Sequence, residues 1–97
     1  MPDYDFKTTF WSDFTIADAF GNNAIKDTFK RAFDEWKTNV EYLAELVIVL
    51  NWKGWQWYNK KNEDRAKIYF DFYEQANDYA YENLTGDDLH YYFNVTD

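Results

Sequence analysis

One histidine, one serine and no cysteine set the limits of the chemistry this 97-residue chain could perform. His90 stands close to Asp87 and Asp88, and a carboxylate–imidazole pair is a general-base or metal-ligand arrangement. Zinc, however, takes several His or Cys ligands, and no such set exists here. The reading of His90 is therefore a surface residue in a short helix. Ser12 has no Gly-x-Ser-x-Gly elbow around it, and the one candidate base is remote in sequence. A capping or surface role suits it. Gly21, Gly54 and Gly86 are isolated, so no glycine loop cradles a phosphate, and the acids lack calcium-loop spacing. The expectation is a protein without catalytic, cofactor-binding or metal-binding residues, and not an enzyme.

Two constellations point to binding instead. The first is the ring cluster Trp52, Trp55, Trp57 and Tyr58, with Lys53, Lys60 and Lys61 beside it. On a helix, Trp55 and Tyr58 share the side of Val40, Val47 and Asn51, which places them in the core. Trp52 falls in a polar wedge with Glu45 and Gln56, where an exposed indole would anchor a partner; packing against the N-terminal arm or first helix is the alternative for the cluster. The second is the row Asp71, Glu74, Asp78 and Glu82, whose members recur every three or four residues. Their rise along a helix axis is about 5–6 Å per step, comparable to the spacing of phosphates on a nucleic-acid strand. Such a row can occupy a basic cleft as DNA does, and Glu63, Asp64, Asp87 and Asp88 would lengthen it. The alternative is a solvated face that keeps an aromatic-rich chain in solution.

These residues need helices to hold them. Residues 1–9 read as an extended arm, with Tyr4 and Phe6 alternating with Asp3, Asp5 and Lys7. Thr8, Thr9 or Ser12 would cap a first helix, with Phe10, Phe14 and Ala17 on one face, ending near Phe20 before Gly21. Asn22 and Asn23 offer the next cap. A second helix over about 24–37 has a clean apolar stripe: Ile25, Phe29, Ala32, Phe33 and Trp36. The stretch Val40–Tyr58, capped by Thr38 or Asn39, contains the unbroken run Leu46 to Leu50. It is apolar nearly all round, with a polar wedge at Glu41, Glu45, Gln56 and Asn59, so it belongs in the middle of a bundle. Gly54 implies a bend there or a close neighbour. Asn62 opens a fourth helix to about Asn83, with Ala66, Tyr69, Phe70, Tyr73, Ala76, Ala80 and Leu84 as its main core face. Ile68, Phe72 and Tyr79 form a second apolar strip across the acidic row. That strip meets another helix, the arm or a second chain, and with Trp52 it supplies the candidate partner anchors. A short last helix runs through Leu89, Tyr92 and Phe93, and 94–97 is a tail.

The chain is one domain, 1–97, large enough for a core without staples. Net charge is −8, of which residues 63–97 carry −7 and residues 1–62 only −1. An acidic surface repels phosphate, so direct nucleic-acid and anionic-membrane binding are disfavoured. No stretch approaches the ~20 apolar residues of a membrane span, and no signal peptide opens the chain. Together with the missing cysteine, this suits the cytoplasm. Five Trp, nine Tyr and nine Phe are more rings than a small core requires, and the surplus favours protein interfaces.

Three segments carry a resemblance. FWSDFTIADAFG (10–21), EWKTNVEYLAELVIVLNWKGW (35–55) and NLTGDDLHYYF (83–93) resemble a family of small uncharacterised acidic helical proteins encoded on conjugative and other mobile elements of gut bacteria. The likeness extends from about Thr8 to Asp97. It implies a bacterial cytoplasm and an accessory role such as transfer, regulation or evasion of host defence. It carries over no activity and no site residues.

The expected fold is all-α: a compact bundle of about four main helices and a short C-terminal one, with an extended N-terminal arm. The expected function is a non-enzymatic protein–protein interaction module of a mobile element, with a protein partner or a second copy bound through Trp52, Ile68, Phe72 and Tyr79. The alternative is a DNA-mimicking inhibitor of a host nucleic-acid-binding or defence protein, acting through Asp71, Glu74, Asp78 and Glu82.

Overall fold

A central helix, α3 (Val40–Asn59), is the axis of the molecule, and the other four lie around it. The computed structural model describes residues 6–96, with side chains from Thr9 onward. The order is α1 (Phe6–Phe20), α2 (Asn22–Trp36), α3, α4 (Glu63–Asn83) and α5 (Gly86–Thr96), with no strand among the described residues. This is the all-α bundle expected from the apolar stripes.

Leu43, Ala44, Leu46, Val47, Val49 and Leu50 of α3 are buried, so the apolar run is core on most of its circumference, with Ile48 half-buried. Asn39 caps the helix by accepting a hydrogen bond from the Tyr42 amide, and Asn62 caps α4 by accepting one from the Arg65 amide. Each cap satisfies an otherwise orphaned donor, worth about 1 kcal/mol. Helix α4 lies against α3 at Gly54, where the Phe70 ring takes the space of the missing side chain. The glycine therefore marks a close neighbour, with the helix unbroken through it.

Helices α1 and α2 form a hairpin joined by Gly21 alone, whose φ of 116° is open to glycine and strained for other residues. Phe10, Phe14 and Ala17 of α1 and Ile25, Phe29, Ala32 and Phe33 of α2 are buried, as their spacing predicts. Asn22 does not cap α2. Its side-chain carbonyl instead accepts a hydrogen bond from Arg65 Nε at 2.9 Å.

At both ends of the chain helix extends further than the sequence predicts. Helix α1 already runs at Phe6, so Thr8, Thr9 and Ser12 lie inside it. Serine and threonine cost a helix interior less than about 0.7 kcal/mol, too little to stop a packed stripe. What remains of the expected arm, residues 1–5, lies outside the described residues. Helix α5 continues to Thr96, where a tail was expected; the Thr96 hydroxyl donates to the Tyr92 carbonyl at 2.6 Å. Tyr92 is fully buried and donates to Asn77 Oδ1 at 2.6 Å, which pins α5 to α4.

Candidate interaction surface

The length of α5 decides which part of α3 reaches solvent. Helix α5 has 11 residues against 20 in α3, so at 1.5 Å per residue it spans about half its neighbour. Its last turn, Val95 and Thr96, lies in a cleft with Ile48, Asn51 and Trp52. Beyond that point the outer face of α3 is uncovered. Trp52 is 63% exposed, Trp55 51% and Tyr58 50%.

Three residues apart, these rings form an oblique ridge that winds about 120° around α3 from Trp52 to Tyr58. Trp55 is held in place by edge-on contacts with Tyr58 and Phe70, at centroid distances of 5.6 and 5.2 Å. A braced indole loses little side-chain entropy on contact, which favours it as an anchor. The core assignment of Trp55 and Tyr58 is thus corrected: the face they share with Val47 is covered only as far as α5 reaches. Trp52 lies where the sequence places it, at the surface. Trp57 turns the other way and is half-buried beneath Arg65 and Lys60, each within cation–π range at 4.6 and 4.8 Å.

The second apolar strip of α4 faces inward. Phe72 stacks on Phe29 of α2 at 4.1 Å, Tyr79 meets Phe33 edge-on at 5.3 Å, and Ile68 packs on the core. Helix α2 packs on Phe72 and Tyr79, and all three residues are half-buried, so Ile68, Phe72 and Tyr79 are corrected from partner anchors to contacts within the monomer. The sequence showed that this strip needed a cover; it did not show which element supplied it.

The acids of α4 are all at the surface. Asp71, Glu74, Asp78 and Glu82 are exposed, as are Glu63, Asp64, Asp87 and Asp88. The row is not uniformly anionic, because Lys67 binds Asp71 at 2.7 Å. Glu45, assigned to the polar wedge of α3, is buried instead, on the side where Tyr91 of α5 approaches. His90 and Ser12 are exposed, and among the described residues no three His, Cys, Asp or Glu side chains converge as metal ligands.

A buried polar cluster between α1, α3 and α4 escaped the sequence reading. Lys53 is 4% exposed; its ammonium donates to Asp18 Oδ2 at 2.9 Å and to Thr15 Oγ1 at 3.2 Å. The Tyr69 hydroxyl donates to Asp18 Oδ1 at 2.5 Å, and Arg65 donates to the Asp18 carbonyl at 3.0 Å. Burial, then the bond to Asp18, pushes the Tyr69 hydroxyl well above its ordinary pKa. One signal pointed to it: Lys53 follows Leu46, Val49 and Leu50 at helical intervals, a charge on an otherwise apolar face. The cluster's donors and acceptors are spent on each other, as befits a structural tie between helices.

Compared with protein-family models, curated proteins and solved structures, the chain matches none. No described helix is long and apolar enough to cross a membrane.

Proposed function

We propose that this chain is a non-enzymatic interaction module that grips a protein partner through the ridge Trp52, Trp55 and Tyr58. The observation that carries the reading is the exposure of three large rings on successive turns of α3, Trp52 at the end of α5 and Trp55 and Tyr58 beyond it. A whole aromatic side chain buries about 150–250 Å², of which these rings still expose half or more, and tryptophan and tyrosine are the residues on which binding energy concentrates. The resemblance of residues 10–21, 35–55 and 83–93 to mobile-element proteins supports an accessory role in a bacterial cytoplasm. The partner's contact surface is apolar, with basic groups at the edge that borders α4.

The test is capture of partners from bacterial lysate by the wild-type chain and by Trp52→Glu and Trp55→Glu variants, washed at low and high salt. The reading expects a partner that survives high salt and is lost with either variant. A partner retained equally by all three chains would refute it.

The exposure of Asp71, Glu74, Asp78 and Glu82 favours a second reading, a DNA mimic that blocks a basic cleft. It ranks below the first because Lys67 neutralises one end of the row. It expects capture of a nucleic-acid-binding protein that is released by salt and abolished by Asp71→Lys with Asp78→Lys.

A further inference from the structure

The α1–α2 hairpin, which does not touch α5 among the described residues, leaves an open groove of about 480 Å³ between its helices. Its floor is Phe10, Ala17, Thr28 and Ala32, each almost fully covered, and small residues make it deep. Beside it Ile16 and Phe20 project into solvent at 58% and 80% exposure. Both also line its rim. A large apolar knob beside a groove with a mainly apolar floor and a charged rim (Asp13, Asp27, Arg31 and Glu35) is a surface that two copies related by a two-fold axis can share, each filling the other's groove.

Charge selects the same occupant. A second copy meeting this one through α4 and α5 would set two surfaces of like sign together, because residues 63–97 carry −7. Residues 6–36, the hairpin itself, hold five acids and four bases, and although Asp13, Asp27 and Glu35 outnumber Arg31 at the groove, the hairpin opposes self-association less than α4 and α5 do. Along α2, Asp27 and Arg31 both border the groove, and neither is ion-paired among the described residues. In an antiparallel pair of α2 helices whose axis passes near Phe29, Asp27 of each copy faces Arg31 of the other. An i,i+4 pair of opposite charges is its own complement under that symmetry.

We propose that this groove is the contact between two copies of the chain, packed antiparallel through α1 and α2. Phe20 of each enters the groove of the other near Phe10 and Ala32, and the Asp27 and Arg31 side chains pair across the axis. Fifteen residues give each helix a length of about 22 Å, so the paired face is on the order of 450 Å² in plan. That is about half the ~800 Å² each partner buries in a standard interface, so the dimer is weak, dissociating in roughly the micromolar to millimolar range. This contact is independent of the ridge on α3.

Sedimentation velocity from about 10 μM to about 1 mM, the range set by that affinity, tests it. The wild-type chain should shift from monomer to dimer across the series. Phe20→Glu should leave it monomeric throughout, with unchanged far-UV circular dichroism because the ring is exposed. Asp27→Arg should weaken the dimer at least about tenfold by setting like charges together, and Asp27→Arg with Arg31→Asp should restore it. Trp52→Glu should have no effect. A wild-type chain that stays monomeric leaves the groove to a foreign segment and overturns the proposal. So does a dimer indifferent to Phe20→Glu, one that the charge exchange fails to rescue, or one abolished by Trp52→Glu.

Discussion

Asp18 carries more of the fold than its modest position near the end of α1 suggests. Its carboxylate receives the buried Lys53 ammonium and the Tyr69 hydroxyl, so one side chain joins α1 to both α3 and α4. Replacing such a group leaves a buried charge without its partner. We expect Asp18→Ala to cost about 3–5 kcal/mol, read as a lowered urea midpoint at unchanged slope, and Lys53→Met in that background to recover most of the loss. The tyrosines add a pH dependence. Burial holds the Tyr69 and Tyr92 hydroxyls above their ordinary pKa, and the bond to Asp18 adds to the effect at Tyr69. The folded state therefore keeps protons that the unfolded chain releases near pH ~10. Their contribution is complete below that pH and is lost above it, at about 1.4 kcal/mol per pH unit for each tyrosine. Denaturation followed from pH 8 to 11.5 should show this fall, and Tyr69→Phe should make it shallower. An equal slope in the variant would disprove the assignment.

At the scale of elements, the tightest constraint is the crossing of α3 and α4. A β-carbon on Gly54 would stand 2.5 Å from the Phe70 ring, which is itself braced by Trp55. Gly54→Ala gains up to about 1 kcal/mol in helix propensity but incurs about 1–3 from overpacking. The expected net loss is up to about 2 kcal/mol in chemical denaturation, relieved by Phe70→Leu in a double-mutant cycle. This crossing also marks where sequence reading stops. The stripes of α2 and α3 and the caps Asn39 and Asn62 were legible because periodicity and capping are local properties. Gly54 was legible as a choice between a bend and a neighbour. The fates of Trp55, Tyr58, Phe72 and Tyr79 were not, because each depends on how far another helix extends or which one lies across it. Trp55 and Tyr58 belong to a face that is core under α5 and surface beyond Thr96. Phe72 is surplus apolar area by its sequence alone, and Phe29 of α2 stacks on it in the fold.

The whole molecule is electrically lopsided, and that separates solvation from function. Glu74, Asp78 and Glu82 follow one another at i,i+4 spacing, all exposed, in the segment 63–97 that carries −7. Like charges so placed destabilise a helix by about 0.2–0.5 kcal/mol per pair, and opposite charges stabilise it by as much. Asp78→Lys turns two repulsive pairs into attractive ones, so it should raise stability by about 1 kcal/mol, or roughly 4–8 °C in melting temperature for a domain of this size. Added salt should raise the wild-type melting temperature and close most of the gap, since screening removes the repulsion that the substitution relieves. A gap that salt leaves untouched would assign the effect to local helix propensity and not to charge. The same variant then divides the two functional readings. Grip through the α3 ridge predicts a chain that is more stable and still binds a salt-resistant partner. Mimicry of a nucleic acid predicts one that is more stable and binds more weakly, the signature of a row kept acidic at the expense of the fold.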